Sequence, residues 1–551
     1  MHRAHLVRLP LRWRPSKFPI VILVALALFA EPRVGTASSI TSRVLIDPVG
    51  ENEADHFGCS VAPVGDVNGD GYDDVIIGAK FYLAIGGQGR AYLYFGGPTI
   101  DLVADLVIPS PTAPTFSWFG VSVASAGDFN GDGYADFIVG AQHAGLQGKA
   151  FIYYGGPSLD ATPDLTLIGE STGSNTWFGA SVASVGDANS DGFDDVIVGS
   201  PRYLTAGDQN GRAYVYFGGI APDAVPDRVF NAVGAGDQLG YAVGSAGDLN
   251  GDGHPDVFAS APYNDTAANN AGAIYVWFGG ASFDANADLT LLGSGIGEQL
   301  SLNAANAGDI NADGFSDLIA AGWDHVRIWL GGPSPNSVPD LTLARTYANV
   351  AGAGDVNGDG IEDFVIGDPY DEAGGVSEGR VSVFFGGSPV DAVEDLYFVG
   401  DHSGRFLGQC VALAGHVDGP GPADLIASSY EDPGQIGYNQ GRVYVFANSN
   451  TPTAVLPQTP VAGLRFVSPS PNPASNEVNL VLELDRDVPV RVTVYDVAGR
   501  EVARPIADEW LLDRVTRAWR PVGLASGVYY VHANLGDRRQ IHKMVWVRDR
   551  R

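Results

Sequence analysis

Residues 66–74 read Asp-Val-Asn-Gly-Asp-Gly-Tyr-Asp-Asp, and this nine-residue pattern recurs five more times along the chain. The other copies begin at Asp128, Asp187, Asp248, Asp309 and Asp355. Each copy runs directly into a short apolar segment, such as residues 75–78. Two carboxylates 4 Å apart repel each other by about 4 kcal/mol at an effective dielectric near 20, unless a cation lies between them. The pattern therefore predicts strands joined by metal-binding loops.

The chemistry of these loops favours calcium. Positions 1, 3, 5 and 9 offer side-chain oxygens, whereas position 7 varies and would contribute only its backbone carbonyl. Calcium takes six to eight oxygen ligands in flexible geometry, while magnesium requires a stricter octahedron. Position 6 is always glycine, which supplies the positive φ of a tight loop. An EF-hand would need a glutamate at position 12, where these loops are apolar. Plain turns that bind no metal are the alternative for such clusters of Asp, Asn and Gly.

We therefore predict six calcium ions, each held by positions 1, 3, 5, 7 and 9 of one loop. The predicted ligands are Asp66, Asn68, Asp70, Tyr72 and Asp74; Asp128, Asn130, Asp132, Tyr134 and Asp136; Asp187, Asn189, Asp191, Phe193 and Asp195; Asp248, Asn250, Asp252, His254 and Asp256; Asp309, Asn311, Asp313, Phe315 and Asp317; and Asp355, Asn357, Asp359, Ile361 and Asp363. A seventh copy at 416–424 lacks the acids of positions 1 and 5, so we expect it to hold no calcium.

The N-terminus has the features of an export signal. Five basic residues between Arg3 and Lys17 precede the apolar run 18–30, and small residues follow at 35–37. The apolar run is shorter than the roughly 20 residues that cross a bilayer, and a retained anchor is the alternative. Residues 38–460 hold 52 acidic and 12 basic residues, a charge that repels nucleic acid and anionic lipid. We expect residues 1–37 to be a signal peptide and the mature chain to be secreted or held at the cell surface, with no membrane span.

The loops start 46 to 62 residues apart, a period typical of stacked supersecondary units. One unit, residues 164–219, contains four short segments of alternating β-branched and aromatic residues and predicts one four-stranded sheet. Seven units fit between about residues 42 and 447, and radial packing of such sheets protects their edges. The strand at 44–46 has no unit of its own, so we expect it to complete the last sheet and close the ring.

A Phe-Gly dipeptide precedes the first three loops, and Gly-Ala follows the first two of them, as in Phe57-Gly58 and Gly78-Ala79. These motifs resemble FG-GAP repeats, which form the seven-bladed β-propeller of integrin α subunits and occur in many bacterial surface proteins. The resemblance implies that residues 38–447 form such a propeller, with every calcium loop on one face. The opposite face would then hold the variable loops at 109–118, 169–177, 201–211, 262–272 and 369–379.

Residues 448–463 have the composition of an extended linker, and strand-like alternation resumes at 478–484 and 490–495. Five to seven strands in about 85 residues predict a small Ig-like β-sandwich over 464–551. The motifs at 471–473, 495–500, 524–530 and 543–545 resemble the C-terminal sorting domains of bacterial type IX secretion. That resemblance implies the outer-membrane secretion machinery as a partner. The segment between Arg504 and Val522 departs from the family pattern, and a plain Ig-like spacer is the alternative.

The two cysteines fall at neighbouring points of the Phe-Gly motif in the first and last units. An oxidising compartment would permit a disulfide between Cys59 and Cys410, and two buried free thiols are the alternative.

Three tryptophans, Trp118, Trp177 and Trp323, map to the non-calcium face, where flat rings suit carbohydrate or protein ligands. In the fifth unit a short hairpin at 323–325 replaces a long loop. We expect a notch there, walled by residues 263–270 and 368–378 with Asp371 and Glu372 at its edge. The alternative is that Trp323 fills the gap, and burial of its ring would exclude the notch.

No nucleophile elbow, HExxH helix, phosphate-binding glycine loop or CxxC pair occurs in the sequence, so we expect no catalysis. The acids are numerous enough to leave a glycosidase-type carboxylate pair open. The sequence thus predicts a calcium-binding, integrin α-like scaffold for adhesion to an extracellular protein or carbohydrate. The alternatives are a secreted polysaccharide hydrolase or lyase on the same scaffold, and a structural component of the envelope.

Overall fold

A computed structural model describes residues 42–46, 48–52, 54–82, 87–98, 100, 103–112, 116–171, 175–205, 207–232, 234–372, 378–400, 406–430, 440–448, 464–470, 478–496, 500–521, 524, 526–535 and 538–546. The predicted signal peptide, and the predicted linker apart from Asn448, lie outside these residues. All regular elements in the described part are β-strands, which confirms the all-β class. No helix in this part is long and apolar enough to span a membrane.

Seven four-stranded antiparallel sheets occupy the described residues between 42 and 448. The first strand, β1 (Ser42–Ile46), belongs to the last of them. Sheet 1 contains β2 (Phe57–Gly65), β3 (Asp74–Ala79), β4 (Arg90–Tyr94) and β5 (Leu106–Pro109). Sheet 2 contains β6 (Phe119–Gly127), β7 (Asp136–Ala141), β8 (Lys149–Tyr153) and β9 (Leu165–Ile168). Sheet 3 contains β10 (Ser181–Gly186), β11 (Asp195–Ser200), β14 (Arg212–Tyr216) and β15 (Arg228–Asn231), with a separate hairpin of β12 (Leu204–Thr205) and β13 (Asp208–Gln209).

The remaining sheets repeat this plan. Sheet 4 contains β16 (Val243–Gly247), β17 (Asp256–Ala261), β18 (Ala273–Trp277) and β19 (Leu289–Leu292). Sheet 5 contains β20 (Asn303–Gly308), β21 (Asp317–Ala321), β22 (His325–Trp329) and β23 (Leu341–Ala344). Sheet 6 contains β24 (Asn349–Gly354), β25 (Asp363–Asp368), β26 (Arg380–Phe384) and β27 (Leu396–Val399). Sheet 7 contains β28 (Cys410–Gly415), β29 (Asp424–Ser429), β30 (Arg442–Asn448) and β1.

The second strand of every sheet is buried along its whole length, as the burial of β3, β11 and β25 shows. Such a strand has neighbouring sheets against both of its faces, which is why it is a continuous apolar run rather than an alternating one. The outer strands β5 and β23 alternate between exposed and buried residues, because one of their faces meets solvent. Hydrophobic clusters therefore lie between successive sheets, as where Phe119 of sheet 2 packs with Ile76 of sheet 1.

The first strands of the seven sheets contact one another in cyclic order, from β2 through β6, β10, β16, β20, β24 and β28 back to β2. The ring is also closed within sheet 7, because β1 pairs with β30 and places Val44 opposite Phe446. The prediction that residues 44–46 complete the last sheet is confirmed.

The predicted repeat unit at 164–219 is wrong in its phase. Strand β9, which was expected to open that unit, pairs with β8 at the outer edge of sheet 2. Sheet 3 takes its fourth strand from β15, which lies beyond residue 219. In sheets 1 to 6 the fourth strand thus precedes the crossing to the next sheet, and sequence periodicity alone does not distinguish the two groupings.

The C-terminal residues form one five-stranded sheet. Its strands are β31 (Leu464–Ser470), β32 (Val478–Asp496), β33 (Glu501–Trp519), β34 (Gly527–Leu535) and β35 (Arg538–Trp546). The two strands expected at 478–484 and 490–495 are a single 19-residue strand, β32, which pairs with β31, β33 and β34. Alternate residues such as Leu480, Val492 and Val531 form one buried core. The division of this sheet into the two layers of a sandwich stays a prediction.

Candidate metal loops and the opposite loop face

The nine-residue segments, called acid loops 1 to 7 in chain order, join the first strand of each sheet to the second. Loop 1 (66–74) is built by Asx turns, in which side-chain oxygens accept backbone N–H groups. Asp66 Oδ1 accepts the N–H of Gly69 at 2.7 Å, and its Oδ2 accepts that of Gly71 at 2.7 Å. Asn68 Oδ1 accepts the N–H of Asp70 at 2.8 Å. The position 6 glycines of loops 1 to 6 have φ between 87° and 93°, which confirms the positive φ that the sequence predicts.

The aspartate at position 9 lies at the base of each loop and is fully buried in loops 1 to 6. In loop 1, Asp74 Oδ2 accepts the N–H of Val67 at 3.0 Å, and Oδ1 accepts the N–H of Gly96 beyond β4 at 2.8 Å. The same pair of bonds recurs in loops 2 to 6. This carboxylate therefore anchors its loop to the third strand of its own sheet.

Burial raises the pKa of the position 9 carboxyl well above its usual range. The pKa of Asp74 rises to about 7 because the side chain loses contact with water, and the nearby charges of Asp70 and Asp66 raise it further. The pKa of Asp195 rises to about 8 for the same first reason. Asp136, Asp256, Asp317 and Asp363 are each raised by burial to about 7. Six buried carboxyls thus ionise at a cost that a bound cation would offset.

The donor set of loops 1 to 6 fits a hard cation. Among the described residues, no ion pair joins a lysine or arginine to an acid of these loops. The loop oxygens accept backbone N–H groups, and an ionised carboxylate keeps further lone pairs after doing so. Within the same residues no three acidic or histidine side chains converge as a compact metal cluster. Calcium also accepts amide and backbone carbonyl oxygens, and position 3 and position 7 of each loop offer these.

Hydrogen bonds connect each acid loop to the next, a feature that sequence reasoning missed. The residue at position 8 reaches position 1 of the preceding loop, as where Asp194 Oδ2 accepts the N–H of Asp128 at 2.8 Å. The N–H of Asp309 is accepted by Glu362 Oε2 at 2.6 Å. At the ring closure, Asp73 Oδ2 accepts the N–H of His416 at 2.7 Å. The only signal for this role in the sequence was an acid or serine at position 8 in four of the loops.

Position 7 was expected to matter only through its carbonyl, and the structure gives its side chain a packing role as well. The Tyr134 ring lies over Gly69 of the preceding loop, so that a Cβ on Gly69 would be 2.5 Å from Cε1 of Tyr134. Phe193 lies over Gly131 in the same way, at 2.3 Å. In loop 3 position 4 is Ser190, whose hydroxyl is 2.7 Å from His254 Nδ1. The loops therefore form a laterally packed ring at one end of the sheets.

Loop 7 (416–424) keeps the buried aspartate at position 9 and lacks the acids at positions 1 and 5. Asp424 is buried, and its Oδ2 accepts the N–H of Val417 at 3.0 Å, as in the other loops. Positions 1 and 5 are His416 and Pro420, so no carboxylate organises the turn at either position. Asp418 at position 3 is exposed. The prediction that this loop holds no calcium stays a prediction.

A row of aromatic rings lies at the opposite end of the sheets, where first strands begin and second strands end. The ring centroids of His56 and Phe81 are 4.7 Å apart, and those of Phe81 and Trp118 are 5.1 Å apart. The row continues from Trp118 to His143 at 4.3 Å and from His143 to Trp177 at 5.9 Å. Two of the three predicted tryptophans thus lie in one aromatic row. Phe81 and His143 were missed, although each stands three residues after a recurring glycine.

Cations flank this row. The Arg202 guanidinium lies 3.5 Å from the ring centroid of Trp177, and Lys80 Nζ lies 5.5 Å from that of Phe81. The indole nitrogens of Trp118 and Trp177 are buried and have no acceptor among the described residues. Burial and the charge of Lys80 lower the pKa of His56 to about 4, so that this imidazole is neutral at physiological pH.

Trp323 is 44% exposed, so the burial that would have excluded the notch is not found. The expected walls are wrong, however. The cavity beside Trp323 is lined by residues 294–298 and 323–325, not by 263–270 or the described part of 368–378. Asp371 pairs with Arg380 instead, at 3.7 Å. The reason is the ring of Tyr347, whose centroid lies 4.3 Å from that of Trp323 and covers its side towards sheet 6. Residues 373–377 of the expected wall lie outside the described residues.

The disulfide between Cys59 and Cys410 is not formed, and both are free thiols. The Cys410 Sγ contacts the backbone oxygen of Cys59 at 3.3 Å, whereas the Cys59 Sγ contacts that of Gly120 in sheet 2 at 3.3 Å. Each thiol therefore points towards the next sheet in the same rotational sense. The sequence left a disulfide and two free thiols open, and the structure shows that the two side chains do not face each other.

Comparison with known proteins matches two parts of the chain. The FG-GAP repeat model matches residues 57–94, 119–154, 178–216 and 239–277, which contain acid loops 1 to 4. The model described as a secretion system C-terminal sorting domain matches residues 470–547. The latter match includes the segment after Arg504 that departs from the expected pattern, and it indicates secretion or attachment at the cell surface.

Several integrin alpha chains are similar to the repeat region. Integrin alpha-5 of Xenopus laevis is 30% identical over 247 residues, which cover 42% of this chain and 23% of that protein. Integrin alpha-6 of Gallus gallus is 38% identical over 154 residues, covering 27% and 14%. Integrin alpha-7 of Homo sapiens is 36% identical over 173 residues, covering 30% and 14%. The chain thus matches less than a quarter of each of these relatives. It contains FG-GAP repeats with homology to integrin alpha chains, followed by a C-terminal secretion sorting domain.

Proposed function

We propose that this chain is an exported, calcium-stabilised, seven-bladed β-propeller that binds an extracellular ligand and catalyses no reaction. The observation that carries the proposal is the fully buried aspartate at position 9 in all six complete loops. Each of these carboxyls has a raised pKa, and each lies below further acids that no lysine or arginine neutralises among the described residues. Such loops are poorly stable at neutral pH unless a cation is bound.

In this proposal the ion contributes positive charge and does no chemistry. Positions 1, 3, 5 and 9 would hold it with side-chain oxygens and position 7 with its carbonyl, and position 9 also fixes the loop to the sheet below. Six calcium ions would offset twelve of the negative charges that the repeat region carries in excess. Because adjacent loops share hydrogen bonds, ordering one loop also restrains its neighbour. The ions would thus stiffen one end of the ring.

The ligand would bind at the other end. Binding residues are commonly placed on loops that a rigid scaffold supports. The aromatic row that includes Trp118 and Trp177 offers flat rings, flanking cations and two indole donors without protein acceptors among the described residues. These features suit a protein or carbohydrate surface that presents acceptor oxygens. The sorting domain accounts for delivery to the cell exterior, where calcium is abundant enough to fill weak sites.

Thermal unfolding with and without calcium tests the proposal. Millimolar calcium should raise the melting temperature of the chelated protein by many degrees, because a ligand at 100 times its Kd adds about 2.7 kcal/mol per site. Magnesium at the same concentration is the control and should have a much smaller effect. An identical melt in calcium and in excess chelator would contradict the proposal.

A further inference from the structure

An open cavity of about 290 Å³ lies at the loop end of sheet 5. One wall is the segment 294–298 that precedes β20, and the other is the short hairpin 323–325 between β21 and β22. Two large apolar side chains are exposed there, Trp323 at 44% and Ile296 at 82%. Ligand pockets commonly measure about 300–1,000 Å³, so this cavity is at the small end of that range and suits a single ring.

The walls are held rigidly from below. Arg327 and Glu298 form an ion pair of 2.6 Å, with both side chains less than 10% exposed. Arg327 Nη2 also donates to Ser294 Oγ at 2.7 Å, and Glu298 Oε2 accepts the N–H of Ser294 at 2.7 Å. The backbone N–H of Trp323 donates to the carbonyl of Glu298 at 2.7 Å, which joins the two walls. A cavity with fixed walls loses little conformational entropy when a ligand enters.

The charged side chains around the cavity contact one another, and together they disfavour an anionic ligand. Glu298 is neutralised by Arg327. Asp324 Oδ1 lies 2.7 Å from His325 Nδ1, and because a carboxylate oxygen can only accept, Nδ1 carries the proton. That leaves Asp324 Oδ2 as an acceptor beside the ring of His325, both on half-exposed side chains. A phosphate or carboxylate ligand would meet acids, and no lysine lines the cavity.

We propose that this cavity binds one neutral pyranose ring of a glycan. The apolar face of a sugar would lie on the exposed part of the Trp323 ring, which Tyr347 contacts at a tilt of 53° with the ring centroids 4.3 Å apart. Its hydroxyl groups would form hydrogen bonds with Asp324 and His325. The proposal goes beyond calcium binding and beyond the aromatic row, since it concerns different residues and requires no metal.

Saturation-transfer NMR on the folded protein tests this with a panel of methyl glycosides of glucose, galactose, mannose and N-acetylglucosamine. At least one glycoside should bind, with a Kd on the order of 1 mM, as for a small ligand with few contacts. Trp323→Ala should weaken that binding about tenfold, and Trp323→Phe should restore most of it because a flat ring is kept. His325→Ala should weaken it several-fold.

Tyr370→Ala is the matched control, because Tyr370 is an equally exposed ring on the same face but lies outside the cavity lining. It should leave glycoside binding unchanged, and all variants should melt as the parent does. If no glycoside of the panel binds, or if Trp323→Ala binds as well as the parent, the proposal is wrong. If the protein melts at the same temperature with and without calcium, the proposed function is contradicted. The glycoside-binding measurement still decides the proposal about this cavity, because it requires no metal.

Discussion

Replacing Asp74 by asparagine separates the anchoring role of position 9 from its expected role in metal binding. Both carboxylate oxygens accept buried backbone N–H groups, from Val67 and Gly96. An asparagine side chain accepts through one oxygen only, so one buried donor loses its partner. The cost is about 3 kcal/mol, because the lost hydrogen bond is charge-assisted and the orphaned donor stays away from water. Asp74→Asn should also abolish calcium binding by loop 1, which removes about 2.7 kcal/mol more at 100 times the Kd.

Asp424→Asn is the matched variant, since Asp424 is similarly buried and its Oδ2 accepts the N–H of Val417 in a loop that lacks acids at positions 1 and 5. The stability of each variant in excess chelator serves as its own baseline. On addition of calcium, Asp74→Asn should gain about 2–3 kcal/mol less than Asp424→Asn does. Urea unfolding followed by circular dichroism under both conditions measures the difference. If the two variants respond equally to calcium, loop 1 does not use its acids to bind the ion and the reasoning fails.

Three further outcomes are expected. The position 9 carboxyls have a pKa of about 7 to 8 in the folded chain, above the unfolded value of 3.8. Without calcium, their protonation therefore stabilises the folded state fully below about pH 4, and this stabilisation is lost as the pH rises through 7 to 8. The melting temperature in chelator should therefore fall over this range and change much less in calcium, whereas a flat profile in chelator would contradict the burial argument. Gly140→Ala should lower the free energy of unfolding by about 1–3 kcal/mol, because the added Cβ would lie 2.1 Å from the carbonyl oxygen of Gly179 in the next sheet. Gly387→Ala is the control: Gly387 has open space around it, so this variant should melt nearly as the parent does. A denatured, unreduced sample should titrate two free thiols per chain, and a titration of none would show that Cys59 and Cys410 are bridged after all.

Local sequence patterns were enough to predict the strands and the acid loops. Each second strand is a short apolar run, and each loop is built by Asx turns whose donors and acceptors lie within five residues of one another. The pairing of residues 44–46 with the last sheet was predictable, because this strand belongs to no complete repeat unit and an unpaired strand leaves its backbone groups without partners. Hydrophobic spacing therefore contains most of the information about the sheets.

The lateral contacts could not be predicted in this way. Asp73 and His416 are 343 residues apart, and their hydrogen bond exists only because the ring closes. The lining of the cavity at sheet 5 depends on Tyr347, which covers Trp323 from the side expected to be open. The buried pair of Arg327 and Glu298 likewise joins strand β22 to the segment before β20, and nothing in the local pattern indicates that they meet. Such contacts follow from the tertiary arrangement and not from periodicity.

Equilibrium dialysis against radioactive calcium tests the central claim most directly, because it counts the ions that the folded chain holds. The account predicts six calcium ions per chain at saturation, five after Asp70→Ala, and still six after Asp418→Ala in loop 7. Binding of no calcium at millimolar concentration would contradict the account, since the six buried aspartates would then require another explanation.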